Sequence, residues 1–192
     1  MGDPGCDCRR RRRVPQKYFK NNEYDKRICS ARAGNVIGGG DWAHARLIPD
    51  ILRSIETRKQ LIVRNPNSVR PWQHVLECLS GYLKLAEELY HDETNFSGAW
   101  NFGPSNTDTK PVKWIIKKMY TLWGCDQDWK LDSSEYFHET NSLKLDNSKA
   151  RNELRWKPKW VLSEALQKIV YWHSNWIKDG NAKELCEYQI QE

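Results

Sequence analysis

Much of what would classify this chain at once is missing from it. No apolar run approaches the length of a membrane span, about 20 residues. The start has arginines but no apolar stretch behind them, so it does not read as a secretory signal, and a soluble cytoplasmic protein is expected. The six cysteines, at 6, 8, 29, 78, 125 and 186, form no CxxC pair, which argues against zinc and for reduced, mostly buried thiols. There is no strand–GxGxxG–helix signature and no GxxxxGK[ST] loop. HExxH, paired-carboxylate spacing and a Ser/His/Asp set are also lacking, so neither hydrolysis nor a metal site is supported. No internal repeat is visible.

What is present is 192 residues, enough for one domain with a sizeable core, and ten tryptophans. Tryptophan buries a large area while keeping one polar donor, so it suits both cores and pocket walls. The net charge of +6 is unevenly placed: residues 1–15, with five Arg and two Asp, carry half of it. That stretch has no apolar period and reads as a disordered tail, foreign to the body of the protein. A nucleic-acid role for Arg9–Arg13 would need aromatic or motif interleaving, which is absent, so nucleic acid is not expected as a partner.

Beyond the tail, strand and helix alternate, which predicts α/β architecture. Gln16–Tyr24 reads as the end of a helix and Ile28–Ala33 as a short strand. Asn35–Ala43 reads as a loop enforced by Gly38, Gly39 and Gly40. Leu47–Arg58 has Leu47, Ile48, Ile51, Leu52 and Ile55 at helical spacing, with Pro49 in the first turn. Leu61–Val63 and Ala99–Phe102 read as strands. Val75–Tyr90 reads as a helix presenting Leu76, Leu79, Leu83, Ala86 and Leu89 on one face. Val112–Trp123 follows Pro111 and stops at Gly124. Leu143–Leu145 is predicted as a strand, followed by a helix capped by Asp146 or Ser148 and running through Leu154. A last long helix opens near Ser163, and residues 181–192 form a C-terminal tail.

Four places suggest chemistry. Arg32-Ala33-Gly34-Asn35 leads into Gly38-Gly39-Gly40-Asp41-Trp42, a strand exit with an Asn and an Arg suited to an anion and a flexible turn lining a pocket. Arg64 and Arg70, placed on loops, can clamp a diphosphate because guanidinium forks match phosphate oxygens, with Trp72 as a shield. The plainer alternative is two surface arginines and a core tryptophan. His74 in isolation is more often structural than catalytic, and Glu77 is a plausible helix N-terminal charge. Asn101, between aromatics at a strand end, can donate to a phosphate or a sugar hydroxyl, or simply form a turn. His138-Glu139 can read a nucleobase edge or be a surface pair.

Taken in order, RAGNVIGGGDW, RLIPD, IVRNP, RPWQHV, WNFGP, HE-x-x-x-LKLD-x-SKA and LRWKP resemble the C-terminal half of the CDP-glucose 4,6-dehydratase branch of the extended short-chain dehydrogenase/reductase family. The resemblance covers residues 17–178 and implies a partial extended short-chain dehydrogenase fold: a C-terminal substrate lobe plus the last part of a Rossmann domain, over residues 16–180. It implies a nucleotide sugar, CDP-glucose, as ligand, NAD as cofactor of the full-length form, and homodimerisation of that form. By the same resemblance Asn35, Arg46, Leu47, Val63, Arg64, Arg70 and Asn101 are substrate-binding, with Glu139 a looser candidate. Arg32 and Ala33 lie where the family's strand passes the nicotinamide.

The departures from the family are as telling. Its glycine-rich NAD fingerprint, its Tyr-x-x-x-Lys pair and its proton-transferring Thr and acidic residues are not found; four residues after Tyr18 and Tyr24 stand Asn22 and Ile28. No catalytic residue is therefore assigned, and the chain alone is expected to bind a nucleotide sugar without turnover. Two alternatives stand beside this: a non-catalytic binding module or pseudoenzyme, and a sister epimerase or decarboxylase of the same family. Since the strand at 28–33 would be parted from its sheet neighbours, the isolated chain is predicted to be poorly soluble or marginally stable. Light scattering with a thermal melt checks this, and a monodisperse sample with a cooperative transition contradicts it.

Overall fold

The computed structural model describes residues 28–91, 96–132 and 142–192. Among the described residues the strands are short and arranged in three small sheets. Strand β1 (Cys29–Ala33) lies parallel to β5 (Gly98–Phe102), Cys29 opposite Gly98 and Ala33 opposite Phe102. After Gly34 the chain continues as β2 (Asn35–Ile37), parallel to β4 (Val69–His74), whose other edge pairs antiparallel with β6 (Thr109–Pro111). Strand β3 (Leu61–Val63) pairs in parallel with β7 (Trp129–Leu131). A Cβ on Gly34 would stand 2.4 Å from the Pro71 carbonyl oxygen, so only glycine lets the chain pass this close to β4 between β1 and β2.

The helices are α1 (Leu47–Thr57), α2 (Val75–His91), α3 (Val112–Trp123), α4 (Ser148–Asn152), α5 (Leu162–Asp179) and α6 (Ala182–Gln191). The larger core gathers one stripe from each of α1, α3 and α5: Ile48, Ile51, Leu52 and Ile55; Ile115, Ile116 and Met119; Leu162, Leu166 and Ile169. Each such side chain, taken fully out of water, contributes about 1.5–3 kcal/mol. A second core packs α2 and α4 on β5 through Cys78, Leu85, Leu89, Trp100, Phe102, Ala150, Leu154 and Trp156.

Several expectations hold. Helix α1 spans the periodic stretch and ends at Arg58 in a left-handed conformation, φ 54°. Helix α3 starts after Pro111 and stops at Gly124, φ 74°. Others do not. Asn35–Ile37, expected as loop, is a strand because β4 offers it a ladder. The stripe that α2 buries is Cys78, Gly81, Leu85 and Leu89, whereas Leu79 and Leu83 are 43% and 73% exposed. The helix period was right and the phase wrong: small Cys78 and Gly81 face Phe102 and the sheet, where leucines would not fit. Leu143–Leu145 is not a strand; Ser142 makes a single bridge to Val69, and the Leu143 N–H donates to the Val69 carbonyl (3.0 Å). Helix α4 is shorter than expected, with Asn147 at its N-cap position; the Asp146 carboxylate accepts from the Ser148 N–H (2.9 Å) one step earlier. Residues 181–192, expected as a tail, hold α6, which the Asn181 side chain caps. The segments 1–15 and Gln16–Tyr24 lie outside the described residues.

Two buried polar residues at the β4–α2 junction tie distant segments together. Glu77, in the first turn of α2, is 4% exposed, and its two oxygens accept the backbone N–H groups of Lys159 and Trp160, each at 2.8 Å. It thereby fixes the approach of the chain to α5. His74, 1% exposed, takes the Leu76 N–H on Nδ1 (3.3 Å) and meets the Trp160 ring edge-on at 5.0 Å. Burial, with Lys168 adding to it, pushes its pKa down to about 4, so the ring is neutral.

Two outcomes are expected. Glu77→Ala leaves two partly buried N–H groups without their carboxylate and lowers unfolding stability by about 1–3 kcal/mol. The urea midpoint should fall at unchanged slope, and an unchanged midpoint refutes the clamp. His74 binds its proton below pH 6.5 when unfolded but only near pH 4 when folded. The unfolded state therefore holds more protons between these values, and stability falls as pH drops through that window, by on the order of 3 kcal/mol. Denaturation at stepped pH should show this slope flattened in His74→Asn; an equal slope in both proteins excludes His74 as its source.

Candidate functional site

An open cleft of about 370 Å³ lies where the N-terminal end of α1, the C-terminal end of β3 and strands β2 and β4 converge. A cleft of that volume is in the range of small-molecule sites. Asn35, the first residue of β2, and Arg70 and Trp72 of β4 form one side. Register brings them together, since Asn35 pairs with Trp72 and side chains two apart on a strand share a face. Trp72 is 5% exposed, its indole N–H donating to the Lys110 carbonyl (2.9 Å), which fixes an apolar wall. Leu61, Ile62 and Val63, then Arg64, Asn65 and Ser68, form the opposite side.

The third side is the start of α1: Ala45, Leu47 and Asp50. Ala45 has φ 59°, a left-handed conformation uncommon outside glycine, and this sharp turn presents the helix N-terminus to the cleft. Backbone N–H groups at such a terminus, with Arg64 and Arg70 nearby, suit a phosphate-bearing ligand.

The turn before α1 is held from behind. A Cβ on Gly39 would lie 2.4 Å from the Trp172 ring. Trp42 packs on Trp176 (ring centroids 4.5 Å) and on His173 (5.3 Å), and His173 pairs with Glu56 of α1. The three glycines, expected to be a flexible turn lining a pocket, form a packed turn, Gly38 against Val75 and Gly39 and Gly40 against Trp172 of α5, and do not line the cleft.

The structure brings together five of the expected substrate residues: Asn35, Leu47, Val63, Arg64 and Arg70. Arg64 and Arg70, expected on loops, differ in setting: Arg64 follows β3 directly and Arg70 is inside β4. Arg46 stands at the rim between Ala45 and Leu47, but its side chain is 67% exposed and pairs with Asp41 at 3.3 Å. Asn101 does not reach the cleft: on β5, opposite Arg32, its amide donates to the Asp146 carbonyl (2.9 Å). Glu139 lies outside the described residues. The sequence reading missed Asp50 and Ser68. Asp50 follows Leu47 by three, one helical turn, which is the signal that could have found it.

Arg32 and Ala33, expected beside the nicotinamide of NAD, sit in the β1–β5 ladder and not in the cleft. A dinucleotide needs a glycine turn opening a helix towards its pyrophosphate. Here Trp172 occupies the space over Gly39 and Gly40, so this glycine turn does not offer such a place. Among the described residues, no group of His, Cys, Asp and Glu could hold a metal ion. No described helix is long and apolar enough to cross a membrane.

No model of a known protein family matches the chain. A CDP-glucose 4,6-dehydratase from Salmonella typhimurium is 54% identical over 164 residues, which is 84% of this chain and 46% of that protein. Among solved structures, UDP-glucuronic acid 4-epimerase from Bacillus cereus, in complex with UDP-glucuronic acid and NAD, superposes with a TM-score of 0.70 at 19% identity, covering 83% of this chain and 48% of the other. UDP-glucose 4-epimerase from Thermotoga maritima, with UDP-glucose, gives 0.69 at 22% identity over 81% and 48%. The dTDP-glucose 4,6-dehydratase of Bacillus anthracis, in complex with NAD, gives 0.62 at 20% over 77% and 45%. The chain thus spans about half the length of the proteins it matches. It carries part of the extended short-chain dehydrogenase/reductase fold, and over most of its length it is similar to CDP-glucose 4,6-dehydratase.

Proposed function

We propose that this chain is the nucleotide-sugar lobe of a CDP-glucose 4,6-dehydratase and that it binds CDP-glucose in the cleft between α1, β3 and β4. The observation that carries this is the meeting, in one cleft, of five residues from four separate motifs: Asn35, Leu47, Val63, Arg64 and Arg70. The similarity to a CDP-glucose 4,6-dehydratase covers 84% of the chain and supports the choice of sugar nucleotide. Arg64 and Arg70 hold the diphosphate, where planar guanidinium forks match its oxygens. Asn35 bonds a phosphate or sugar oxygen, and Leu47, Val63 and Trp72 supply the apolar walls that keep water from these bonds.

These residues bind and orient. They include no group placed to move a proton at the sugar, and His74, which follows Trp72 on β4, is buried and neutral. By itself the chain is accordingly a binder of CDP-glucose without turnover, and 4,6-dehydration belongs to an assembly that also contains an NAD-binding half. Isothermal titration of the purified chain with CDP-glucose tests this. Binding is expected, with no 4-keto sugar formed when NAD is added. Arg70→Ala should weaken binding by about 1.5–3 kcal/mol, the worth of a hydrogen bond to a charged group. A folded sample that releases no heat with CDP-glucose sinks the proposal.

A further inference from the structure

Among the described residues lining the cleft Asp50 is the one carboxylate, and the same lining holds Arg64 and Arg70. In a site for a diphosphate ester a negative side chain weakens binding by repulsion. Its presence therefore calls for a different role, and its placement suggests one. Helix α1 runs from Leu47 to Thr57, the chain turns at Arg58, and β3 returns alongside it. Asp50, in the first turn of α1, and Val63 and Arg64, at the far end of β3, consequently line the same cleft.

The carboxylate is also held. Arg53 engages its Oδ1, and Arg53 is itself anchored to the carbonyl oxygens of Trp42 and Ala43, each at 3.1 Å. A side chain fixed in this way presents an acceptor of set direction and cannot offer a donor. Pyrimidine rings differ on that point. Cytosine carries an exocyclic amino group, a donor, where uracil and thymine carry a carbonyl oxygen, an acceptor.

Resting on the reading of this cleft as a nucleotide-sugar site, we propose that Asp50 selects the cytosine base, by accepting a hydrogen bond from its amino group and repelling the carbonyl oxygen that uracil and thymine place there. This is discrimination by an unfavourable contact with the wrong ligand as much as by a favourable one with the right ligand.

The test is calorimetric titration of the intact chain, wild type and Asp50→Asn, with CDP and with UDP. Wild type should prefer CDP by about tenfold or more, the effect of one charged hydrogen bond gained against one repulsion. An asparagine amide can turn to donate or accept, so the preference should shrink to within about threefold in Asp50→Asn. Asp50→Ala serves as a second variant and should lose the preference in the same way. A purely structural role would weaken both nucleotides alike, so an unchanged CDP/UDP ratio in folded variants overturns the proposal. So does a wild type that binds CDP and UDP equally, which leaves the nucleotide site standing. Binding of neither nucleotide by folded wild type overturns both.

Discussion

Strand β4 is the constraint on which the site depends. It is the central strand of its sheet, parallel to β2 on one edge and antiparallel to β6 on the other. Its side chains alternate between two jobs. Arg70 and Trp72 face the cleft, while Pro71 meets Gly34 and Gln73 donates its amide to the Phe102 carbonyl at 2.7 Å. A slip of one residue would turn Arg70 away from the cleft and bury its charge. The register is held by three features that cannot shift independently: the close approach at Gly34, the Trp72 indole bonded to Lys110, and the pairing of Asn35 with Trp72. The strand then runs straight into α2, where His74 and Glu77 fix the segment leading to α5.

The tryptophans account for the second constraint. Trp42, Trp172 and Trp176 form a continuous aromatic surface, with the His173–Glu56 pair beside it joining α5 to α1. The turn that delivers α1 to the cleft is packed against this surface. Glycine is required at position 39 because an indole occupies the space of its missing side chain. Pre-positioning of this kind lowers the ordering cost of binding, since the loop is placed before a ligand arrives.

The division of labour between the two cores follows from the same arrangement. The α1–α3–α5 core supports the cleft, with Trp72 belonging to both. The α2–β5–α4 core supports β1 and β5, the strand pair that carries Arg32, Ala33 and Asn101. Residues drawn from the sequence as one site therefore sit on two different substructures, and only the first set converges on the cleft.

Some of this was legible in the sequence. The helix at 47–57 could be read because five apolar residues recur at a period that only a helix places on one face. The helix at 112–123 could be read because Pro111 and Gly124 mark its ends chemically. Arg64 and Arg70 could be picked out as candidates for an anion because guanidinium chemistry is local, and both line the cleft. The rest was decided by tertiary structure. Val69–His74 carries a proline and three polar or charged side chains, so its strand character comes from neighbours on both edges. The buried stripe of α2 is set by Phe102, which admits Cys78 and Gly81 but not Leu79 and Leu83. Asn101 turns to Asp146, and Asp50 enters the cleft, through contacts between segments far apart in the chain. Periodicity and chemical type belong to the chain itself, whereas phase, register and convergence arise from contacts that exist only once the segments have packed.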